Sequence, residues 1–95
     1  MTSESRPFDH TFTAPIGVDV KGELWSCVEM PDSVSLFGTG KSVRVVATID
    51  EEPITAAFMP TGNGGHMLSI SAKLRQRLRK GIGDEVTVRI TSRLS

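Results

Sequence analysis

The sequence predicts a mainly β protein, a small closed or half-open β-barrel carrying one or two short helices. Three observations lead there. Short stretches in which apolar and polar residues alternate recur along the chain, as half-buried strands require. The stretch Glu23 to Met30 is apolar on both faces, which suits a closed or covered sheet. Two strand–helix–strand passages, around residues 28–45 and 68–88, share one layout. Ninety-five residues are enough for one hydrophobic core and too few for two, so residues 8–95 are expected to form a single domain behind a loose polar tail at 1–7.

Taken in order, Phe8, His10 and Phe12 alternate with Asp9, Thr11 and Thr13, which predicts a strand from Phe8 to Ala14. Pro15 and Gly17 interrupt it, and residues 15–22 read as a connection. Glu23 to Met30 reads as one strand with Leu24, Val28 and Met30 on one face and Trp25 and Cys27 on the other. Pro31 lacks an N–H and fits the first turn of a helix, so residues 31–37 are expected to be helical and to stop at Gly38 and Gly40. Ser42 to Ile49 alternates again, Asp50 to Pro53 is a polar turn, and Ile54 to Met59 pairs back as a hairpin. Residues 60–65 form a glycine-rich loop.

Met67 to Ile90 is the most legible stretch: strand, short basic helix, glycine stop, tight turn and strand. Ser71 can accept a hydrogen bond from a backbone N–H of the first turn, and Gly81 is expected to take the left-handed conformation that closes the helix, with Ile82 folding back on it. Leu74 and Leu78 share a face with Ile70, while Lys73, Arg75, Arg77, Arg79 and Lys80 charge the other. Gly83-Asp84 reverses the chain, and Val86, Val88 and Ile90 alternate with Thr87, Arg89 and Thr91. This unit echoes residues 28–45, where Val28-Glu29-Met30-Pro31 matches Leu68-Ser69-Ile70-Ser71 and Val43-Arg44-Val45 matches Val86-Thr87-Val88. Such a repeat would let one chain supply both halves of a pseudo-twofold barrel.

Charge is balanced overall but not along the chain. Residues 1–67 hold four basic and nine acidic side chains, and residues 68–95 hold seven and two. Overall neutrality argues against a dedicated nucleic-acid binder and leaves room for a local patch. The opposed halves also permit a homodimer. The lone Cys27 forms no internal disulfide and suits a reducing compartment. With no long apolar run and no basic-then-apolar start, a cytoplasmic protein without membrane contact is expected.

Phe12, Glu23-Leu24-Trp25-Ser26-Cys27-Val28-Glu29-Met30-Pro31, Val43-Arg44-Val45-Val46-Ala47-Thr48-Ile49, Gly64-Gly65-His66-Met67-Leu68-Ser69-Ile70, Lys73-Leu74-Arg75 and Gly83-Asp84-Glu85-Val86-Thr87-Val88 occur in an order that resembles the bacterial family called domain of unknown function 1905. The resemblance runs from about Phe8 to Leu94. It implies a β-barrel of the double-split type and no established activity. Where relatives often turn the hairpin with a glycine, this chain has Glu51-Glu52-Pro53. The Met67–Ile90 unit alone also resembles the strand–helix–Gly-Asp–strand element of swapped-hairpin regulators of the AbrB and MazE kind, which bind DNA as intertwined dimers.

The candidate chemistry is sparse. Lys73, Arg75, Arg77, Arg79 and Lys80 could contact phosphates or a partner, although basic residues late in a helix also complement its dipole. Trp25 and His66 are candidate groove residues, with core packing the competing role for Trp25 and a place near the barrel mouth for His66. His10, Cys27 and His66 invite a nucleophile or a metal site, but their spacing supports neither, so no catalytic or metal residue is assigned and no cofactor is expected. Asp50, Glu51 and Glu52 sit together on a turn that solvent should cover. The sequence therefore points to a small non-enzymatic binding module, with a nucleic-acid-binding regulator acting through helix 71–80 as the alternative.

Overall fold

The computed structural model describes residues 6–62 and 64–95. Eight strands and two helices follow in the order β1 (Arg6–Pro15), β2 (Val18–Val20), β3 (Glu23–Trp25), β4 (Cys27–Met30), α1 (Ser33–Phe37), β5 (Val43–Ile49), β6 (Glu52–Pro60), β7 (His66–Ser69), α2 (Ala72–Leu78) and β8 (Glu85–Arg93). Six strands form one antiparallel sheet in the order β1-β8-β5-β6-β7-β4. The sheet curls until β1 and β4 face each other, leaving a nearly closed barrel with one unsealed seam, and the mainly β fold class holds. The expected tail at 1–7 lies partly outside the described residues, and β1 already begins at Arg6.

Alternation decides what lies inside. Val43, Val45, Ala47 and Ile49 of β5 and Val86, Val88 and Ile90 of β8 are all buried, and they meet Phe58, Leu68 and Ile70 in the core. The four phenylalanines of the chain fall into one cluster, with Phe37 5.4 Å from Phe58 and 5.5 Å from Phe8, and Phe12 6.3 Å from Phe58. Leu74 of α2 is buried against the same core and Leu78 packs partly against it. Because side chains of a strand alternate, a one-residue slip would turn these rows outward, so the core fixes the register.

The repeat seen in the sequence is also a relation between strands. The copies equate Val28 with Leu68 and Ala47 with Ile90, and these are register partners: β4 pairs with β7 through Val28↔Leu68, and β5 pairs with β8 through Ala47↔Ile90. A pseudo-twofold axis therefore passes between them, exchanging β4-α1-β5 with β7-α2-β8 and β1 with β6. Under this exchange the β6–β7 pairing corresponds to the β1–β4 seam, which is not paired.

Pro15 explains the difference. Ile16 donates its N–H to the Asp84 carbonyl (2.9 Å) and accepts from Gly83 N–H (2.8 Å), so both its backbone groups face β8. Thr87 turns its N–H and C=O toward Asp50, which leaves Val86 and Val88 to bond Ala14 and Phe12. In an antiparallel edge the direction alternates, so Thr13, Pro15 and Gly17 face β4. Proline has no N–H to offer there. Among the described residues, Gly17 N–H to the Cys27 carbonyl, 2.7 Å, is the backbone bond that crosses the seam.

Four expectations change. The stretch Glu23 to Met30 is not one strand: Lys21 and Gly22 both take positive φ (52° and 87°), the geometry of a two-residue hairpin, with Asp19 Oδ1 accepting from Gly22 N–H. Val18–Val20 thus pairs with Glu23–Trp25 off the main sheet, and residues 15–22 are not a plain connection. The turn after β5 is only Asp50-Glu51, both at positive φ; Pro53 sits within β6 opposite Thr48, on a stretch whose other side no described strand pairs, where its missing N–H costs nothing. Helix α1 starts after Asp32, two residues later than expected. Helix α2 has its Ser71 cap, which accepts from Leu74 N–H at 3.1 Å, but Arg79 rather than Gly81 takes the left-handed closing position (φ 57°). Gly81 N–H instead donates to Asp84 Oδ2 in the following turn, and Ile82 stays half exposed.

An arginine in left-handed backbone carries steric strain that glycine lacks. Arg79→Gly should leave the fold intact and raise its stability by up to about 1 kcal/mol in urea titration, net of the extra backbone entropy of glycine.

Candidate functional site

The unsealed seam opens into a groove of about 920 Å³. One wall is the outer edge of β1 from Thr13 to Gly17. The other is the end of β4 and the start of α1, with Gly64 and Gly65 closing over the top. Pro31 ends β4, and Asp32 then takes left-handed backbone (φ 55°, ψ 31°), which swings the chain into α1 without using the Asp32 carboxylate as a helix cap. Among the described residues, the carboxylates of Glu29 and Asp32 are the only charged groups lining the groove, and neither has an ion pair or side-chain hydrogen bond there. Glu29 lies over Gly65, where an added Cβ would meet Glu29 Oε2 at 3.1 Å.

An apolar patch borders the Gly17 end of the groove. Leu24 is 57% exposed, Trp25 43% and Ile82 50%. A Cβ built on Gly17 would meet Ile82 Cγ2 at 3.4 Å and Leu24 Cδ1 at 3.5 Å, so Leu24 and Ile82 converge on the residue that crosses the seam. Trp25, the next residue of β3, turns to the other face of the hairpin from Leu24, opposite Val18, with its indole N–H toward Glu23 at 3.4 Å. It fills no core position.

His66 behaves differently. It is fully buried at the start of β7, packed edge-on against Phe37 at 5.2 Å. Nε2 lies 2.8 Å from the Lys41 carbonyl and Nδ1 lies 2.8 Å from Ser33 Oγ. A carbonyl can only accept, so Nε2 donates, and in the neutral ring Nδ1 accepts from the buried Ser33 hydroxyl. The ring thereby ties α1 and the loop before β5 to β7. Trp25 and His66, paired as groove candidates in the sequence, are not lining residues of the seam groove.

Cys27 is buried in a small cluster with Val18 and Met67. Burial raises its thiol pKa, only partly offset by a hydrogen bond with Ser69 opposite. A raised pKa leaves little thiolate for nucleophilic work. His10 stacks on Phe12. No group of three or more His, Cys, Asp or Glu able to hold a metal ion occurs among the described residues.

The basic residues of α2 and of the turn after it are partly committed to the β5–β6 hairpin. Lys80 Nζ donates to Asp50 Oδ2 (2.6 Å) and to the Glu85 carbonyl (2.6 Å), and Arg77 Nη1 reaches Glu52 Oε1 at 3.2 Å. Arg75 is half-buried with its Nε unpartnered among the described residues, while Lys73 and Arg79 are exposed. The acidic turn expected to be merely solvated thus clamps the helix end to β8. For Asp50, burial raises the carboxyl pKa, but the Lys80 hydrogen bond, the Thr87 N–H at 2.8 Å and the Lys80 charge together hold it below its usual value.

These features define a single-chain β-barrel made of two strand–helix–strand halves and left open along one seam. A family model described as Domain of unknown function (DUF1905) matches residues 12–90, and the chain belongs to that family. Among curated proteins, none matches it. Among the described residues, no helix is long and apolar enough to cross a membrane.

The lowered pKa of Asp50 sets a pH dependence. A carboxylate whose folded pKa is depressed stabilises the fold above its unfolded pKa, about 4, and loses that contribution as pH falls through the folded value. Asp50→Asn keeps a side chain that tolerates left-handed backbone, so it should cost about 1 kcal/mol at neutral pH, and in urea titrations the gap to the parent should narrow and close as pH falls through the lowered pKa of Asp50. Ser33→Ala leaves His66 Nδ1 without a donor and should cost about 1–3 kcal/mol, read by thermal unfolding.

Proposed function

We propose that the protein is a small non-enzymatic β-barrel module that binds a partner along the seam between β1 and β4. The observation that carries this reading is the groove itself, a concave surface with backbone groups on its β1 wall and two carboxylates on the other that have no partner among the described residues. Pockets that hold ligands combine apolar lining with a few convergent polar groups, and this groove has both. The side chains that might have built a catalytic centre are engaged elsewhere: Cys27 with Ser69, and His66 with Ser33 and Lys41. A nucleic-acid contact through α2 is the weaker reading, because Arg77 and Lys80 direct their charges to Glu52 and Asp50.

Titrating isotope-labelled protein with a library of amino-acid-derived fragments tests the site. Amide shifts should concentrate at residues 13–17 and 29–35, and Val34→Trp, at an exposed helix position on the groove wall, should abolish them. Chemical conversion of a bound compound, or shifts concentrated on α2, would overturn the proposal.

A further inference from the structure

Resting on that reading of the groove, we infer that its occupant is an extended peptide segment carrying Lys or Arg, which adds as a strand to the outer edge of β1. The backbone supplies the first half of the argument. On β1, Phe12 and Ala14 bond β8, so Thr11 and Thr13 present N–H and C=O outward and Pro15 presents a carbonyl. No described strand pairs with this edge. A free edge of this kind is completed by another extended chain, whose main-chain bonds give affinity whatever its side chains. The other boundary of the seam is fixed where Gly17 bonds Cys27, so the occupant enters from the Thr13 side and runs toward the patch of Leu24 and Ile82.

Charge supplies the second half. The groove lining holds Glu29 and Asp32 and no basic residue. Both carboxylates stand on the wall opposite β1, where they face side chains of a strand laid on that edge. A cationic side chain would gain two charge-assisted partners there, and an acidic one would meet like charge. An apolar residue one or two positions further along would meet Leu24 and Ile82.

Labelled Thr-Val-Lys-Val-Lys-Val-Thr provides the probe, with Thr-Val-Glu-Val-Glu-Val-Thr as the charge control. The Lys peptide with alternate backbone nitrogens methylated is the strand control. Fluorescence anisotropy should show the Lys peptide binding at least about tenfold more tightly than either control, a factor equal to the loss of about 1.4 kcal/mol. Affinity should fall with added salt. Glu29→Gln combined with Asp32→Asn should bring the Lys peptide down to the level of the Glu peptide while thermal unfolding confirms the fold. Equal binding of the methylated peptide removes strand addition, and equal binding of the Glu peptide removes the charge assignment. Either result overturns the inference, as do amide shifts on the free part of β6 rather than on β1. If fragments perturb the groove and no peptide does, the occupant is wrong and the binding module stands; if neither perturbs it, both fall. Concentration-dependent growth in size with shifts along the seam would assign the groove to a second copy of the chain and likewise overturn the peptide.

Discussion

The β5–β8 pairing carries the architecture. Each half of the molecule contributes one inner strand, and the residues that meet there, Val45, Ala47 and Ile49 with Val88 and Ile90, are completely buried. A lone pair of strands is marginal in water, and neither β4-α1-β5 nor β7-α2-β8 has a covered sheet of its own. Joined along the pseudo-twofold axis, each half covers the other. Asp50 and Thr87 extend the contact past the hairpin by exchanging hydrogen bonds in both directions, and Lys80 adds the third side of the clamp. The seam, the groove and the place of α2 follow from this pairing and from what each half can add to its outer edge.

What was legible in the sequence was local. Alternation in residues 43–49 and 86–90 gives the inner strands, Ser71 gives the start of α2, and the echo between the two strand–helix–strand passages gives the axis. The β2–β3 hairpin was missed because Leu24 and Trp25 continue the apolar run into β4, although Asp19 three residues before Gly22 was a turn signal. The closing residue of α2 was misplaced because glycine preference pointed to Gly81, while Lys80 has to leave the helix early enough to reach Asp50 and Glu85. The site was the least legible part. A seam opened by Pro15 depends on which way that proline faces in a fold assembled from distant strands. The burial of His66 likewise depends on Ser33 and Lys41, far away in sequence.

The uneven charge along the chain acquires a structural meaning. The three ion pairs among the described residues, Asp9–Arg89, Asp50–Lys80 and Glu52–Arg77, each join an acidic residue of the first 67 to a basic residue of the last 28. The polarity that could have driven one molecule onto another is partly satisfied within one. Exposed pairs of this kind add little stability each, and their value lies more in register and orientation. The crevice between β6, β7 and α2, the pseudo-symmetric counterpart of the seam, is lined by Lys73 and Arg77, whereas the seam carries Glu29 and Asp32. The two halves share a backbone plan and differ in the sign of the surface they present.

The position of β8 between β1 and β5 has a consequence for how the molecule is made. It comes after all the other described elements in chain order and yet is an interior strand, with β1 on one side and β5 on the other. As the chain leaves the ribosome, β1 and the β5–β6 hairpin emerge before the strand that must lie between them. Closing contacts such as Arg89 with Asp9 span nearly the whole sequence. Loop closure of that length slows folding, and two unsatisfied edges must wait side by side until β8 has emerged. Nascent chains halted short of β8 are therefore the form in which this protein is most exposed to aggregation and most dependent on chaperones.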